Sequence, residues 1–411
     1  MDYHAYDPDR DLEAVLRIWD EAGWNEPGAE DWLRLALAEL PTIVAKLNGE
    51  AECCVITSPG DLQYLDERLP FSCIHAVATS RVARQQGLAA RLTARAIANS
   101  VREGALVCGL GMFDQGYYNR LGFGTGNYDC GVDFDPAQLT VDVKPRPPSR
   151  LTADDWESVH ASRLARRRAH GSLSLTPSVN TRGDIAVNAK HNGFGLGYLD
   201  GPQGELTHHF WFHGSRVGGG IYEESWTAFQ TPEQFLELMA LLHSLSDHVH
   251  LVKMTEPPGI QLYDLLERPH RQRRVREGGA FPVGVRAVPW WQMRLCDLPG
   301  CLALTHLPCD DLRFSLRLDD PLARYLSDDD GWHGAGGDYV VTLGAESSAR
   351  PGLDAALATL TASVGALTRL WLGVRPATGL AVTDGLSGPP ELLRALDRTL
   401  SLPPPRPDWF M

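Results

Sequence analysis

Residues 76 to 92, AVATSRVARQQGLAARL, pass from small and β-branched side chains through a basic turn with one glycine into an amphipathic stretch. A strand that feeds a helix opened by glycine leaves main-chain N–H groups unpaired at the positive end of the helix dipole, where phosphate binds best. The segment Arg84-Gln85-Gln86-Gly87-Leu88-Ala89 therefore asks for an anionic ligand, and Arg81 and Arg84 add positive charge locally. Alone, Arg-x-x-Gly-x-Ala is a short pattern: a glycine at a helix start is often only a cap, and arginines there are often only solvated. Further along lies GMFDQGYYNRLGFGTG, which follows the strand-like ALVCGLG.

The elements that must hold these residues follow from periodicity. Apolar positions at helical spacing mark DLEAVLRIWDEA, residues 11 to 22. Residues 42 to 56 predict two strands joined at Asn48-Gly49, a hairpin signal. A strand CIHAVATS, a helix over about 87 to 103, the strand ALVCGLG and a closing strand in TGNYDCGVDF complete a mixed sheet covered by helices. VKPRPPSR (143 to 150) crowds three prolines into a stiff linker, and EGGAFPVGVRAVPWW (277 to 291) marks a softer break near 285. The middle segment repeats the plan, with helices near 152 to 168, 232 to 246 and 260 to 267 and strands FGLGYLD, HHFWFH, ESWTAFQ and VHLVKM, but without the glycine turn. The last segment opens on a strand WQMRLCDL, continues through strands LRFSLRLDD and DYVVTLG, and holds an apolar helix at LDAALATLTASVGAL.

Composition bounds the function classes. A chain of 411 residues is too long for one core. Its 43% apolar and 22% charged residues suit a folded globular protein, and the acidic, polar start offers no leader, so a cytoplasmic protein without membrane spans is expected. A net charge of −14 argues against nucleic acid and favours a cationic small substrate. The arginine clusters at 166 to 168 and 268 to 276 are expected as salt-bridged surface or subunit interface. Eight scattered cysteines form no disulfide framework, and Cys296, Cys301 and Cys309 are expected in the core. His209 and His213, four apart on a strand, are too distant for an easy shared metal site, so no metal is expected.

The order strand, Arg84-Gln85-Gln86-Gly87-Leu88-Ala89, helix, strand, then Tyr118-Asn119-Arg120-Leu121-Gly122-Phe123 resembles the GNAT superfamily of acyl-CoA transferases. At full length the chain resembles the enhanced intracellular survival family. That resemblance implies an α/β (α+β) fold with two tandem GNAT-like mixed-sheet domains and a sterol-carrier-protein-like α/β domain. The expected boundaries are 1 to 146 (catalytic), 147 to 285 (a second copy lacking the phosphate loop) and 286 to 411.

The same resemblance implies an N-acetyltransferase that moves an acetyl group from acetyl-CoA to a primary amine of a small cationic molecule or a lysine side chain. The chemistry needs a cofactor fixed by its pyrophosphate, a positioned carbonyl, a neutral amine and a proton for the thiolate. Arg84, Gln85, Gln86, Gly87, Leu88, Ala89 and Ala90 would hold the pyrophosphate; Val77, Ala78 and Thr79 would serve the pantetheine and thioester carbonyl; Phe113 and Asp114 would flank the cofactor. Tyr118 would be the general acid, its phenol protonated at neutral pH, with Tyr117 a neighbour expected to be structural. The α-carboxylate of Met411 would be the base, brought in after the stiff LPPPRP and apolar Trp409-Phe410. Phe410 stands where an acidic residue would help bind polycationic amines, so an amine other than an aminoglycoside is expected. The family also implies a homo-oligomer, a hexamer. The alternative reading is a non-catalytic acyl-CoA or lipid binding module.

Overall fold

The structure, a computed structural model, describes residues 2–24, 29–214 and 220–411. Two compact units form: Met1–Asn127 with His170–Pro177 and Pro289–Met411, and Tyr128–Ala169 with Ser178–Val288. The first and last stretches of the chain thus share one unit.

In that unit β1 (Asp2–Ala5), β2 (Thr42–Leu47), β3 (Glu50–Tyr64) and β4 (Glu67–Thr79) run as an antiparallel series, and β5 (Val107–Gly111) joins β4 in parallel. The Asn48-Gly49 hairpin forms as expected, with both residues at positive φ. Helices α1 (Pro8–Ala22), α2 (Ala29–Glu39) and α3 (Leu88–Arg102) cover the sheet. On α3, Leu88, Leu92 and Ala96 return every fourth position to the same buried face, and Ile97 extends it beside Ala96. They pack with Ile74, Cys108 and Leu110 in one apolar cluster.

The sheet is completed by a distant segment. The strand Trp291–Leu295, expected to open a separate domain, lies antiparallel between β5 and β6 (Gly124–Thr125). TGNYDCGVDF is accordingly not one strand. Gly124–Thr125 stays in the first sheet, whereas Asp129–Phe134 pairs in the second, with Leu251–Thr255 and Gly284–Val288. At the break, a side chain on Gly126 would overlap the Trp291 indole. A second borrowed strand, Leu173–Leu175, pairs with Gly60 to Leu62 of β3.

The remainder of this unit is a sheet in the order 348–351, 337–343, 312–319, 359–363, 386–387, with helices Val364–Trp371, Ala377–Thr383 and Pro390–Thr399. The single helix expected across residues 353 to 367 is corrected: Thr359–Ser363 alternates buried and open positions as a strand, and Ser363 then caps the helix Val364–Trp371. Trp371 stacks on Tyr64 with ring centroids 4.5 Å apart and donates its indole N–H to Thr305 Oγ1 at 2.9 Å.

The second unit carries a seven-stranded sheet, with Ile221–Ala228 parallel to Leu251–Thr255 and the helix Pro232–Ser244 between them in sequence. This repeats the β4, α3, β5 pattern. The helix expected over 260 to 267 is instead a short 3₁₀ turn, Leu262–Leu265, followed by the helix Pro269–Arg276 behind Pro269. All eight cysteines are free thiols; Cys296 and Cys301 are buried, but Cys309 is exposed rather than in the core.

A buried ion pair ties the borrowed strand down. Arg294 bonds Asp320 at 2.5 Å, their side chains 0% and 1% exposed, and Arg294 also donates to the carbonyl of Leu121. Asp320 accepts two further bonds, from the N–H groups of Leu322 (3.0 Å) and Ala335 (2.8 Å). Removing one partner of such a pair leaves a buried charge without compensation. Asp320→Ala should lower the stability of this unit by about 3–5 kcal/mol in urea unfolding. Arg294→Met, which keeps the volume and removes the charge, should be harmful as well, because Asp320 then loses its cation.

Candidate active site

The pairing of β4 with β5 stops early. It covers Phe71 with Val107, Ser72 with Cys108 and Cys73 with Gly109, and the two strands then run on to Thr79 and Gly111 without pairing to each other. On the other side of β4 the register against β3 shifts after Cys54, and Ala76 takes φ +45°. An extra residue here, a β-bulge, bends the strand and re-aims its main chain. The result is a wedge in the sheet, bounded by residues 74 to 79 and by Leu110 and Gly111. Val77, Ala78 and Thr79 line one side of it, with main-chain groups that β5 does not satisfy.

Beyond the wedge the chain turns through Arg81–Ala83 into α3. Gln85 (φ +62°) and Gly87 (φ +75°) adopt left-handed conformations, and no side chain caps the helix. Among the described residues the main-chain N–H groups of Gln86 to Ala90 have no acceptor. A Cβ on Gly87 would meet nothing within 4 Å. Arg84, Gln85 and Gln86 are exposed around this opening, and Arg84 has no ion-pair partner among the described residues. Free amides, a helix dipole and a nearby cation suit a phosphate.

The second unit is different at the matching place. Thr231 and Gln234 form a capping box at the helix Pro232–Ser244, and Pro232 removes one N–H. Its wedge is also filled. The Glu224 carboxylate accepts from the N–H of Thr255 at 2.7 Å and from Thr227, and burial pushes its pKa up to about 7. In the same unit Asp200, His208 and Glu237 are close enough to share a metal ion. The Arg146 guanidinium, however, already bonds both carboxylates at 2.7 Å.

Tyr118 lies in α4 (Gln115–Asn119), a single turn capped by Asp114, whose carboxylate accepts from the N–H of Gly116 at 2.9 Å. The Tyr118 ring is buried among Phe113 (5.7 Å), Tyr117 (4.9 Å) and Phe123 (6.1 Å) and shares the apolar cluster with Ile74 and Leu110. Burial keeps its phenol protonated, with a pKa raised further above the ordinary 10. Tyr117 is pushed up to about 12 by burial, and its hydroxyl has no partner among the described residues. Phe113 is exposed beside both rings.

The C-terminal residues reach the same strands from the opposite face. Arg406 N–H bonds the carbonyl of His170 at 3.1 Å, and Asp408 accepts from the N–H of Leu173 at 3.1 Å. Trp409 and Met411 are buried, whereas Phe410 is exposed and stacked on Trp290 at 5.2 Å. A Cβ on Gly109 would meet the Phe71 ring and lie 3.1 Å from Met411 Sδ; one on Gly111 would overlap the main-chain oxygen of Met411. Side chains alternate along a strand, so Met411 covers the face shared by Phe71, Cys73 and His75. Ile74, Cys108 and Leu110 point the other way, toward Tyr118.

Two residues of this site escape motif reading. Gln292 is fully buried and donates to Asn119 Oδ1 (3.1 Å) and Thr125 Oγ1 (3.0 Å), fixing α4 to the borrowed strand. Its only sequence signal is a polar residue inside an apolar strand pattern. His75 is the other: its Nε2 is buried with no hydrogen-bond partner among the described residues. A cavity of about 340 Å³ in this unit, bounded by Ala5, Thr42, Thr57 and Glu103, lies at the C-terminal end of α3 and contains none of these residues.

Residues 6–126 match the family model described as an acetyltransferase (GNAT) domain. No curated protein matches the chain. Among solved structures, a GCN5-related N-acetyltransferase from Anabaena variabilis superimposes with a TM-score of 0.80 at 13% identity, covering 100% of both chains. A conserved Enterococcus faecalis protein of unknown function, described as a probable N-acyltransferase, gives 0.79 at 17% identity, covering 100% of this chain and 99% of its own. Eis1 from Mycobacterium abscessus gives 0.77 at 17% identity, again over 100% of both chains. The fold is therefore that of tandem GNAT-like proteins, and the first stretch carries a GNAT acetyltransferase domain. No described helix is long and apolar enough to cross a membrane.

The glycines of β5 make room for Met411, and this can be tested. Gly111→Ala should displace Met411 without straining the strand. Urea unfolding should then show a loss of up to about 1.5–3 kcal/mol, the worth of fully burying a methionine side chain. Unchanged stability would mean that residues 409 to 411 are held by other contacts.

Proposed function

We infer that this protein is an N-acetyltransferase that moves an acetyl group from acetyl-CoA to a primary amine of a small cationic molecule or a lysine side chain. The observation that carries the reading is the open, uncapped start of α3 next to the wedge between β4 and β5: an anion site beside a gap in a sheet, within a GNAT domain. The amides of Gln86 to Ala90 would hold the pyrophosphate, with Arg84 and Gln85 beside it. Val77, Ala78 and Thr79 would offer main-chain bonds to the pantetheine and to the thioester carbonyl, where negative charge develops. Phe113 would shield the thioester, and Asp114 would act by capping α4.

Tyr118 supplies the proton that the departing thiolate needs; its buried, protonated phenol suits a donor. With Met411 as the terminal residue of the protein, its carboxylate would face the amine, a premise that the intact mass of the isolated protein checks. Full-length similarity to Eis1 supports placing the chain in the enhanced intracellular survival family. On that reading residues 1 to 146 are catalytic, 147 to 285 a second GNAT-like part, and 286 to 411 a sterol-carrier-like part. The assembly is then a cytoplasmic hexamer. The excess of acidic residues favours a cationic acceptor.

Release of CoA thiol from acetyl-CoA across a panel of amines and lysine peptides tests the reaction; tight CoA binding without turnover would instead favour a non-catalytic binding module. For the phosphate site, Gly87→Glu places a like charge against the pyrophosphate. Repulsion of about 4 kcal/mol at 4 Å and an effective dielectric of 20, reduced by screening, should weaken CoA binding on the order of a hundredfold in calorimetry. Gly87→Ala, the control for backbone strain, should lose much less.

For the acid, Tyr118→Phe should reduce kcat by about 10²–10⁴-fold and leave the KM for acetyl-CoA nearly unchanged. Tyr117→Phe should do little. The reverse order of effects would move the acid role to Tyr117.

A further inference from the structure

Three observations converge on His75. First, it lies in the wedge, two residues beyond the last β4–β5 pair, Cys73 with Gly109, and directly before the left-handed Ala76. Second, strand alternation puts its side chain on the face of Phe71 and Cys73, the face on which Met411 rests against Gly109 and Gly111. Were the pairing to continue, His75 would stand opposite Gly111, the glycine whose missing side chain is replaced by the Met411 main-chain oxygen. Third, the imidazole is half satisfied. Nδ1 lies 3.7 Å from Cys73 Sγ, while Nε2 is shielded from solvent and has no partner among the described residues. A buried polar atom without a partner costs free energy and calls for an explanation.

We propose that His75 Nε2 is the proton acceptor for the attacking amine. This rests on the acetyl-transfer reading above and deepens it. The amine lone pair attacks the thioester carbonyl carbon; the C–N bond forms and the C–S bond breaks. The nitrogen gives its proton to His75 Nε2, and the thiolate receives one from Tyr118 Oη on the other face of the sheet. Solvent restores both groups after the products leave.

The role requires a neutral ring with its proton on Nδ1, which donation to Cys73 Sγ provides. Cys73 can serve as that acceptor because burial holds its thiol far above the ordinary pKa, so it stays uncharged. Burial also lowers the His75 pKa to about 4, which keeps the ring unprotonated at neutral pH. The wedge is thus flanked by a proton donor on the α3 face and a proton acceptor on the Met411 face.

The test begins with wild-type turnover on the amine panel; if no amine is acetylated, the acetyl-transfer reading fails, and this proposal with it. Given turnover, His75→Gln and His75→Ala should each lower kcat by about 10²–10⁴-fold. Acetyl-CoA affinity, measured by calorimetry, and melting temperature should stay close to wild type. A folded His75→Gln enzyme with wild-type kcat would overturn the proposal while leaving acetyl transfer intact.

Should neither variant fold, the wild-type protein decides. With ¹⁵N-labelled histidine, the His75 Nε2 resonance should move on addition of the acceptor amine in the presence of desulfo-CoA. An unmoved resonance at saturating amine would equally overturn it.

Discussion

Everything at this site depends on one strand pairing. Trp291–Leu295 enters the sheet between Val107–Gly111 and Gly124–Thr125, and so decides where the β5 edge ends and where α4 can lie. Without it, Gly111 and Thr125 would belong to separate edges, and the turn that carries Tyr117 and Tyr118 would hang from a single strand. Gln292 supplies the direct link by bonding Asn119 and Thr125 from inside the sheet. Arg294 supplies the anchor, since its charge is compensated only where Asp320 and the Leu121 carbonyl meet. Buried polar groups of this kind add little net stability but penalise every misplaced arrangement.

That pairing also explains how the end of the chain reaches the first sheet. The helix Val364–Trp371 packs against the borrowed strand, and Thr368 Oγ1 accepts from the N–H of Leu295. Trp371 stacks on Tyr64, and His170 bridges the N–H of Leu65 to the carbonyl of Leu372. The tail from Pro405 then follows residues 170 to 173 until Met411 meets the glycines of β5. Each contact is local, yet together they carry a residue from the far end of the sequence to the wedge.

Much of this was legible in the sequence, and the reason is local physics. The glycine turn at 84 to 87, the amphipathic α3 and the Asn48-Gly49 hairpin are set by residues a few positions apart, so pattern alone finds them. What the pattern could not carry was partnership. WQMRLCDL is recognisable as a strand, but nothing within it names β5 as its neighbour. TGNYDCGVDF looks continuous because the steric demand at Gly126 comes from Trp291, far away in sequence. The apolar run from 353 to 367 satisfies a helical period as well as a strand, and burial of Leu360 and Ala362 on one side decided for the strand. His75 is hidden for a related reason: a histidine in a strand is ordinary until its unpaired nitrogen and the interrupted ladder are seen together.

The inserted strand also orders events in time. During synthesis β5 emerges early, with one side paired to β4 and the other an open edge of unsatisfied N–H and C=O groups. The partner of that edge appears only after the whole second unit has been made. Closing so long a loop adds only modestly to the entropic cost, about 0.6 kcal/mol for each doubling of length, but the wait is long. Until residue 295 has emerged, the nascent first unit presents a strand edge open to any passing chain, and Val107, Cys108 and Leu110 make that edge apolar. Completion of the sheet thus becomes a late, long-range step, which waits until the whole second unit has been translated.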